Sequence, residues 1–140
     1  MNKNIIKTAK YAYIIFICFL TLCVYIYIFS DGYEDLGDGY AVELDEYQVC
    51  KKEGDDMLVI LPDWIKEIQH DNRFIIAKQR PDEWVVKNTT YNYPLGPDTI
   101  YYWIIDKQCD KQYGPMCMDE FVHTRDSLCI TINFKEKSKK

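Results

Sequence analysis

The hydrophobic pattern divides the chain in two. From 11 to 29 there are 19 consecutive residues without a charge, a glycine or a proline. As a helix that run would measure about 28 Å, close to the roughly 30 Å of a bilayer's hydrocarbon core. Tyr11 and Tyr13 near one end, and Tyr25 and Tyr27 near the other, suit the two interfaces. Lys3, Lys7 and Lys10 precede the run, and Asp31, Glu34 and Asp35 follow it. The positive-inside rule then predicts a cytoplasmic N-terminus at 1–10, a transmembrane helix or signal anchor at 11–29 and an exported C-terminal part. The alternative is a cleaved signal with a secreted or periplasmic product. Its cleavage pattern would be poor, with Ile28 and Ser30 as the −3 and −1 residues. Cys23 follows Leu22 rather than a small residue, which argues against lipid attachment there.

Beyond 30 the pattern changes to short alternating runs. An acidic, glycine-bearing linker is expected at 30–39, then strands at 40–44, 47–52 and 57–61, the last of the fully buried kind. Trp64, Ile65 and Ile68 fit one face of a helix after Pro62, or equally a strand entering a turn at Asp71-Asn72. A central strand is expected at 74–77, another strand at 83–87, a polar loop at 88–97 and an interior strand at 100–106. A short helix at 118–125, with Phe121 and Val122 inward, precedes a last strand at 128–134 and a basic, disordered tail at 135–140. The class is therefore α+β, mainly β. It comprises an N-terminal transmembrane helix and one small antiparallel-sheet domain with a short helix, at 40–134.

Charge sharpens this picture. Residues 31–140 carry 14 basic and 22 acidic side chains, a formal charge of −8. Such a surface argues against nucleic acid, whose binders need basic patches. The expected partners are the lipid bilayer, through 11–29, and a protein of the cell envelope.

Four cysteines fall in the domain: Cys50, Cys109, Cys117 and Cys129. In an oxidising compartment they could form two disulfides, with three connectivities. Cys109 and Cys117 flank Gly114-Pro115, read as a turn, and Cys50 and Cys129 lie on the polar faces of their expected strands. The pairs Cys109–Cys117 and Cys50–Cys129 are therefore expected. Met116, Cys117, Met118 and His123 are soft enough for Cu(I), but no metal-ligand spacing accompanies them. No cofactor and no metal is expected.

Catalytic motifs are missing: there is no phosphate loop, no nucleophile elbow and no zinc-binding histidine pair. A thiol enzyme would have to use Cys117 with His123. The aromatics offer more. Tyr101, Trp103 and Ile105 share one face of a strand and Tyr102 and Ile104 the other, so a face left uncovered would be a binding surface. Tyr91 and Tyr93, in the loop beside Pro94 and Gly96, are candidates for partner contact. The expected binding residues are Tyr91, Tyr93, Tyr101 and Trp103.

Asp71-Asn72, the run Phe74-Ile75-Ile76-Ala77-Lys78-Gln79 and the run Tyr102-Trp103-Ile104-Ile105-Asp106-Lys107 carry a family resemblance. Gly114-Pro115 and Glu120-Phe121 continue it. Over about residues 35–134 the chain resembles small uncharacterised bacterial proteins of this length with an N-terminal signal, lipobox or membrane anchor. That family has no established activity or catalytic residues, so nothing functional is carried over from it, and the lack of a lipobox here departs from its lipoprotein members. The expected function is a non-catalytic, membrane-anchored binding or interaction module. Its alternatives are a periplasmic inhibitor or immunity protein, and a small envelope enzyme using Cys117 and His123.

Overall fold

A computed structural model describes residues 3–29 and 32–135, with the side chains of the first helix described from 11 to 24. The chain forms two compact units, 1–32 and 33–140. In the first, helix α1 runs Lys3–Phe29. The transmembrane expectation for 11–29 is not carried by the structure, because among the described residues no helix is long and apolar enough to cross a membrane.

The second unit holds two four-stranded antiparallel sheets, where one was expected. The first sheet runs β1 (Tyr33–Gly37), β2 (Tyr40–Glu43), β3 (Gln48–Glu53) and β4 (Asp56–Leu61), in that order. The second runs β5 (Ile65–His70), β6 (Phe74–Gln79), β7 (Tyr101–Asp106) and β8 (Lys111–Met116). Helices α2 (Glu83–Asn88) and α3 (Met118–Ser127) complete the unit.

Alternation of side chains builds the layers. Val42, Val49 and Leu61 from the first sheet meet Ile75, Ala77, Trp103 and Ile105 from the second in one core. Phe74, Ile76 and Ile104 point to the other side of the second sheet, where Phe121 of α3 and Ile130 cover them. The order is sheet, sheet, helix, and β6 and β7 are buried on both faces.

Several expectations are corrected. The linker at 30–39 contains β1, which pairs Tyr33 with Glu43 and Asp35 with Ala41; residues 30 and 31 lie outside the described part. Strand β4 is an edge strand, with Leu58 and Val59 about half exposed, rather than a buried one. The ambiguous stretch after Pro62 is a strand. The stretch 83–87 is helical despite Trp84, Val85 and Val86, because Asp82 caps it by accepting from the Val85 N–H at 2.8 Å. Lys87 and Glu83 add an ion pair one turn apart. Residues 128–134 keep their inward alternation but form no ladder: Ile130, Ile132 and Phe134 pack on the second sheet, and the Ile130 N–H donates to the Arg125 carbonyl at 3.0 Å rather than to a strand. Tail residues 136–140 lie outside the described part.

The expected disulfides do not form, and all six cysteines are free. Gly114-Pro115 lies inside β8, joined by a cis peptide bond, and is not a turn. Strand β8 lies between Cys109, in the turn before it, and Cys117, just after it, so the two cysteines stand at opposite ends of an extended strand and are not bridged. Cys50 lies in the first sheet and Cys129 follows α3 on the far face of the second, so at least one sheet spacing of about 10 Å divides them.

Candidate binding groove

The four expected binding residues do come together, Tyr93, Tyr101 and Trp103 within the core and Tyr91 partly buried against it. Tyr101 and Trp103 are fully buried, and Tyr93 nearly so. Tyr93 packs edge-on against Tyr101 at 5.0 Å, and Tyr91 against Trp103 at 4.8 Å between ring centroids. The polar atoms of Tyr93 and Trp103 converge on Gln79, itself fully buried. Its Oε1 accepts from Trp103 Nε1 at 2.9 Å and from the Tyr93 hydroxyl at 3.1 Å. Burial pushes the Tyr93 hydroxyl up to about 12, so it stays a neutral donor at any ordinary pH. The Tyr91 hydroxyl donates to the Ile60 carbonyl at 2.7 Å. Neither Tyr101 nor Trp103 offers a surface to a partner.

The other half of Gln79 points to the surface feature that sequence reasoning missed. Its Nε2 donates to the carbonyls of Pro62 and Asp63, both at 3.0 Å, and the Arg80 N–H donates to the Trp64 carbonyl at 3.0 Å. These bonds hold the β4–β5 connection with Trp64 at φ 72°. A bulky residue in the left-handed region costs about 1–3 kcal/mol and persists only where its surroundings impose it. The result is an indole that stays 45% exposed. Tyr47, in the β2–β3 turn, has the same kind of backbone (φ 53°) and is also about half exposed.

Both rings line one cleft of about 510 Å³, with Glu46, Asp63, Ile65 and Lys66. Lys66 places its ammonium 5.1 Å from the centre of the Trp64 ring. Tyr47 and Lys66 also line a second cleft of about 470 Å³, whose apolar lining is Leu36, Val42, Leu44 and Ile68. Together the two clefts form a groove along β5, between it and the β1–β2 side of the first sheet. Strand β5 is the edge of its sheet, so one row of its backbone groups faces away from β6. Lys135 closes one side, its N–H donating to Glu67 Oε1 at 2.6 Å.

The remaining chemistry lies elsewhere. The Lys107 ammonium is buried and donates to the carbonyls of Leu36 (2.6 Å) and Asp71 (2.8 Å), tying β1 to the β5–β6 turn. Buried Asp106 accepts from Arg73 Nη2 at 2.7 Å, from the Gln108 N–H and from the Cys109 thiol. The Arg73 hydrogen bonds hold its carboxyl below the usual carboxylate range. Cys50 is buried, and burial, then Glu43 and Glu46, push its thiol up, so it is a poor nucleophile. Cys117 begins α3 and His123 follows six residues on, about 9 Å along the axis and on a different face. Among the described residues no group of three or more His, Cys, Asp or Glu is placed to hold a metal ion.

These features define a small two-sheet domain with one helix packed on its second sheet and an aromatic-ended groove at an open strand edge. The chain belongs to the family described as a protein of unknown function, DUF3997, which matches residues 38–138. The match begins just after β1 and takes in both sheets from β2 onward, together with α2 and α3. No curated protein and no solved structure matches the chain.

Proposed function

We propose that the chain is a single-pass, membrane-anchored protein whose domain stands outside the cytoplasm as a non-catalytic binding module. Its ligand is an extended segment of an envelope protein, lying in the groove along β5. The observation that carries this reading is the pairing of an edge strand with a groove whose half-exposed side chains are Leu44, Tyr47 and Trp64. Strand addition supplies backbone hydrogen bonds, and flanking apolar pockets select side chains. The uncharged run 11–29, with lysines before it and acids after, supports the anchor. The separation of Cys117 from His123 on α3 weighs against the thiol-enzyme reading.

A second reading, an inhibitor or immunity protein for a basic enzyme, draws on the formal charge of −8 over 31–140. It requires capture by the acidic surface as a whole, which weakens steeply with salt and is indifferent to Leu44→Asp.

The test uses the full chain in native membranes. The chain should resist alkaline extraction, and protease added from outside should remove the domain. Extended Thr/Val peptides should bind the wild-type protein and fail on Leu44→Asp. Release into the alkaline supernatant sinks the anchor, and equal binding by Leu44→Asp sinks the groove.

A further inference from the structure

The groove along β5 is not uniform. Its middle sets Leu44 and Ile68 among the polar Glu34, Glu67, Gln69 and His70, whereas the Trp64 end joins two aromatic rings, Tyr47 and Trp64, to two carboxylates, Glu46 and Asp63. Among the described residues neither carboxylate is in a salt bridge. Aromatic faces and unpaired carboxylates share one preference: both attract a cation, the rings through their quadrupole and the acids through charge. The fold already shows that preference in use, because Lys66 sets its own ammonium over the Trp64 ring.

The backbone adds an independent argument. Tyr47 and Trp64 both stand at positive φ, where glycine or asparagine would be relaxed. They come from different connections, β2–β3 and β4–β5, yet line the same cleft. Strain at two bulky aromatic positions does nothing for the core, since both rings are about half exposed. It does keep both rings at the wall of one cleft open to solvent.

We infer that this end of the groove is a receptor for a cationic side chain, arginine or lysine, carried by the extended segment that lies along β5. The inference rests on the groove reading above and names the chemistry of its occupant. The incoming cation takes the place of the Lys66 ammonium on the Trp64 ring, with Glu46 and Asp63 as its counter-charges. The neighbouring residues of the segment fill the mixed polar and apolar cleft that Leu44 and Ile68 help to line.

The probes are three Thr/Val-alternating peptides that differ at one central position: arginine, citrulline or glutamate. Binding to the full chain in detergent is followed by fluorescence anisotropy of the labelled peptide. The arginine peptide should bind about tenfold or more tighter than citrulline, and glutamate weakest. Trp64→Gly and Tyr47→Gly should each weaken the arginine peptide about tenfold while leaving Tm unchanged or raised, because glycine relieves the backbone. Lys66→Gln should bind the arginine peptide several-fold tighter, a gain that damage to the fold does not imitate. Equal affinity for all three peptides, still lost on Leu44→Asp, would overturn the cation receptor and leave the groove standing. No binding of any peptide would overturn both.

Discussion

Gln79 joins the buried aromatics to the exposed groove. One amide satisfies Trp103 and Tyr93 inside the core and the carbonyls of Pro62 and Asp63 at the β4–β5 connection. Gln79→Ala therefore leaves two buried donors and two carbonyls without partners. At about 1–3 kcal/mol for each unsatisfied group, with water reaching some of them, the expected loss is about 3–5 kcal/mol in denaturant unfolding. Peptide affinity should fall as well, because the connection that carries Trp64 loses its two bonds at Pro62 and Asp63 and keeps only that from the Arg80 N–H. A stable Gln79→Ala variant with wild-type affinity would refute this coupling. Asp106 makes a prediction in pH. Hydrogen bonds from Arg73 depress its folded-state pKa below that of the unfolded chain. Its contribution is thus complete above about pH 4, the ordinary aspartate value, and is lost as pH falls through the lower folded value. Asp106→Asn should lower stability at neutral pH and flatten the acid limb of a Tm-against-pH curve. An unchanged acid limb would exclude Asp106 as its source.

At the scale of elements, burial on two faces marks the second sheet. Phe121 is the centre of its outer layer, stacked on Tyr102 at 5.1 Å and tilted against Phe134 at 5.5 Å. Phe121→Ala removes a nearly fully buried ring and should cost about 3–5 kcal/mol. Phe134→Ala, at the less buried end of the same cluster, should cost less; chemical denaturation of the two variants checks the order. The division of β7 into a Tyr101, Trp103, Ile105 face and a Tyr102, Ile104 face was legible in the sequence, because period-2 alternation is local. So was the inward Phe121 of α3. That both faces are covered was not legible, since it depends on where the first sheet and 128–134 come to rest. Helix α2 was hidden for a different reason: Trp84, Val85 and Val86 favour a strand, and a single Asp82 cap outweighs them. Sequence reasoning picked Tyr91, Tyr93, Tyr101 and Trp103 by aromatic density, but density marks cores as readily as surfaces. The sequence signal for Tyr47 and Trp64 was weak. Positive φ at a tyrosine or a tryptophan has no composition signature, and the bonds from Gln79 and Arg80 that impose it at Trp64 come from a distant strand end.

For the whole molecule, the thiols connect fold to compartment. The reading of an exported domain led to disulfides, yet the fold leaves Cys109 and Cys117 at opposite ends of β8 and Cys50 and Cys129 in different layers, all four as free thiols. Export and free thiols are therefore compatible in this chain, because geometry blocks the expected pairs. Accessibility orders their reactivity: Cys109 and Cys129 are exposed, Cys117 is half-buried, and Cys50 is buried with its thiol pushed up. Alkylation of the native protein without reductant should label Cys109 and Cys129 first and Cys117 more slowly. Cys50 should react only after denaturation, and prior reduction should release no additional thiol. Oxidation should then cross-link separate molecules through Cys109 or Cys129 rather than staple one domain. A Cys109–Cys117 or Cys50–Cys129 peptide recovered after digestion would require β8, or the packing of the two sheets, to differ from this fold. The groove beside β5 would have to be redrawn with it.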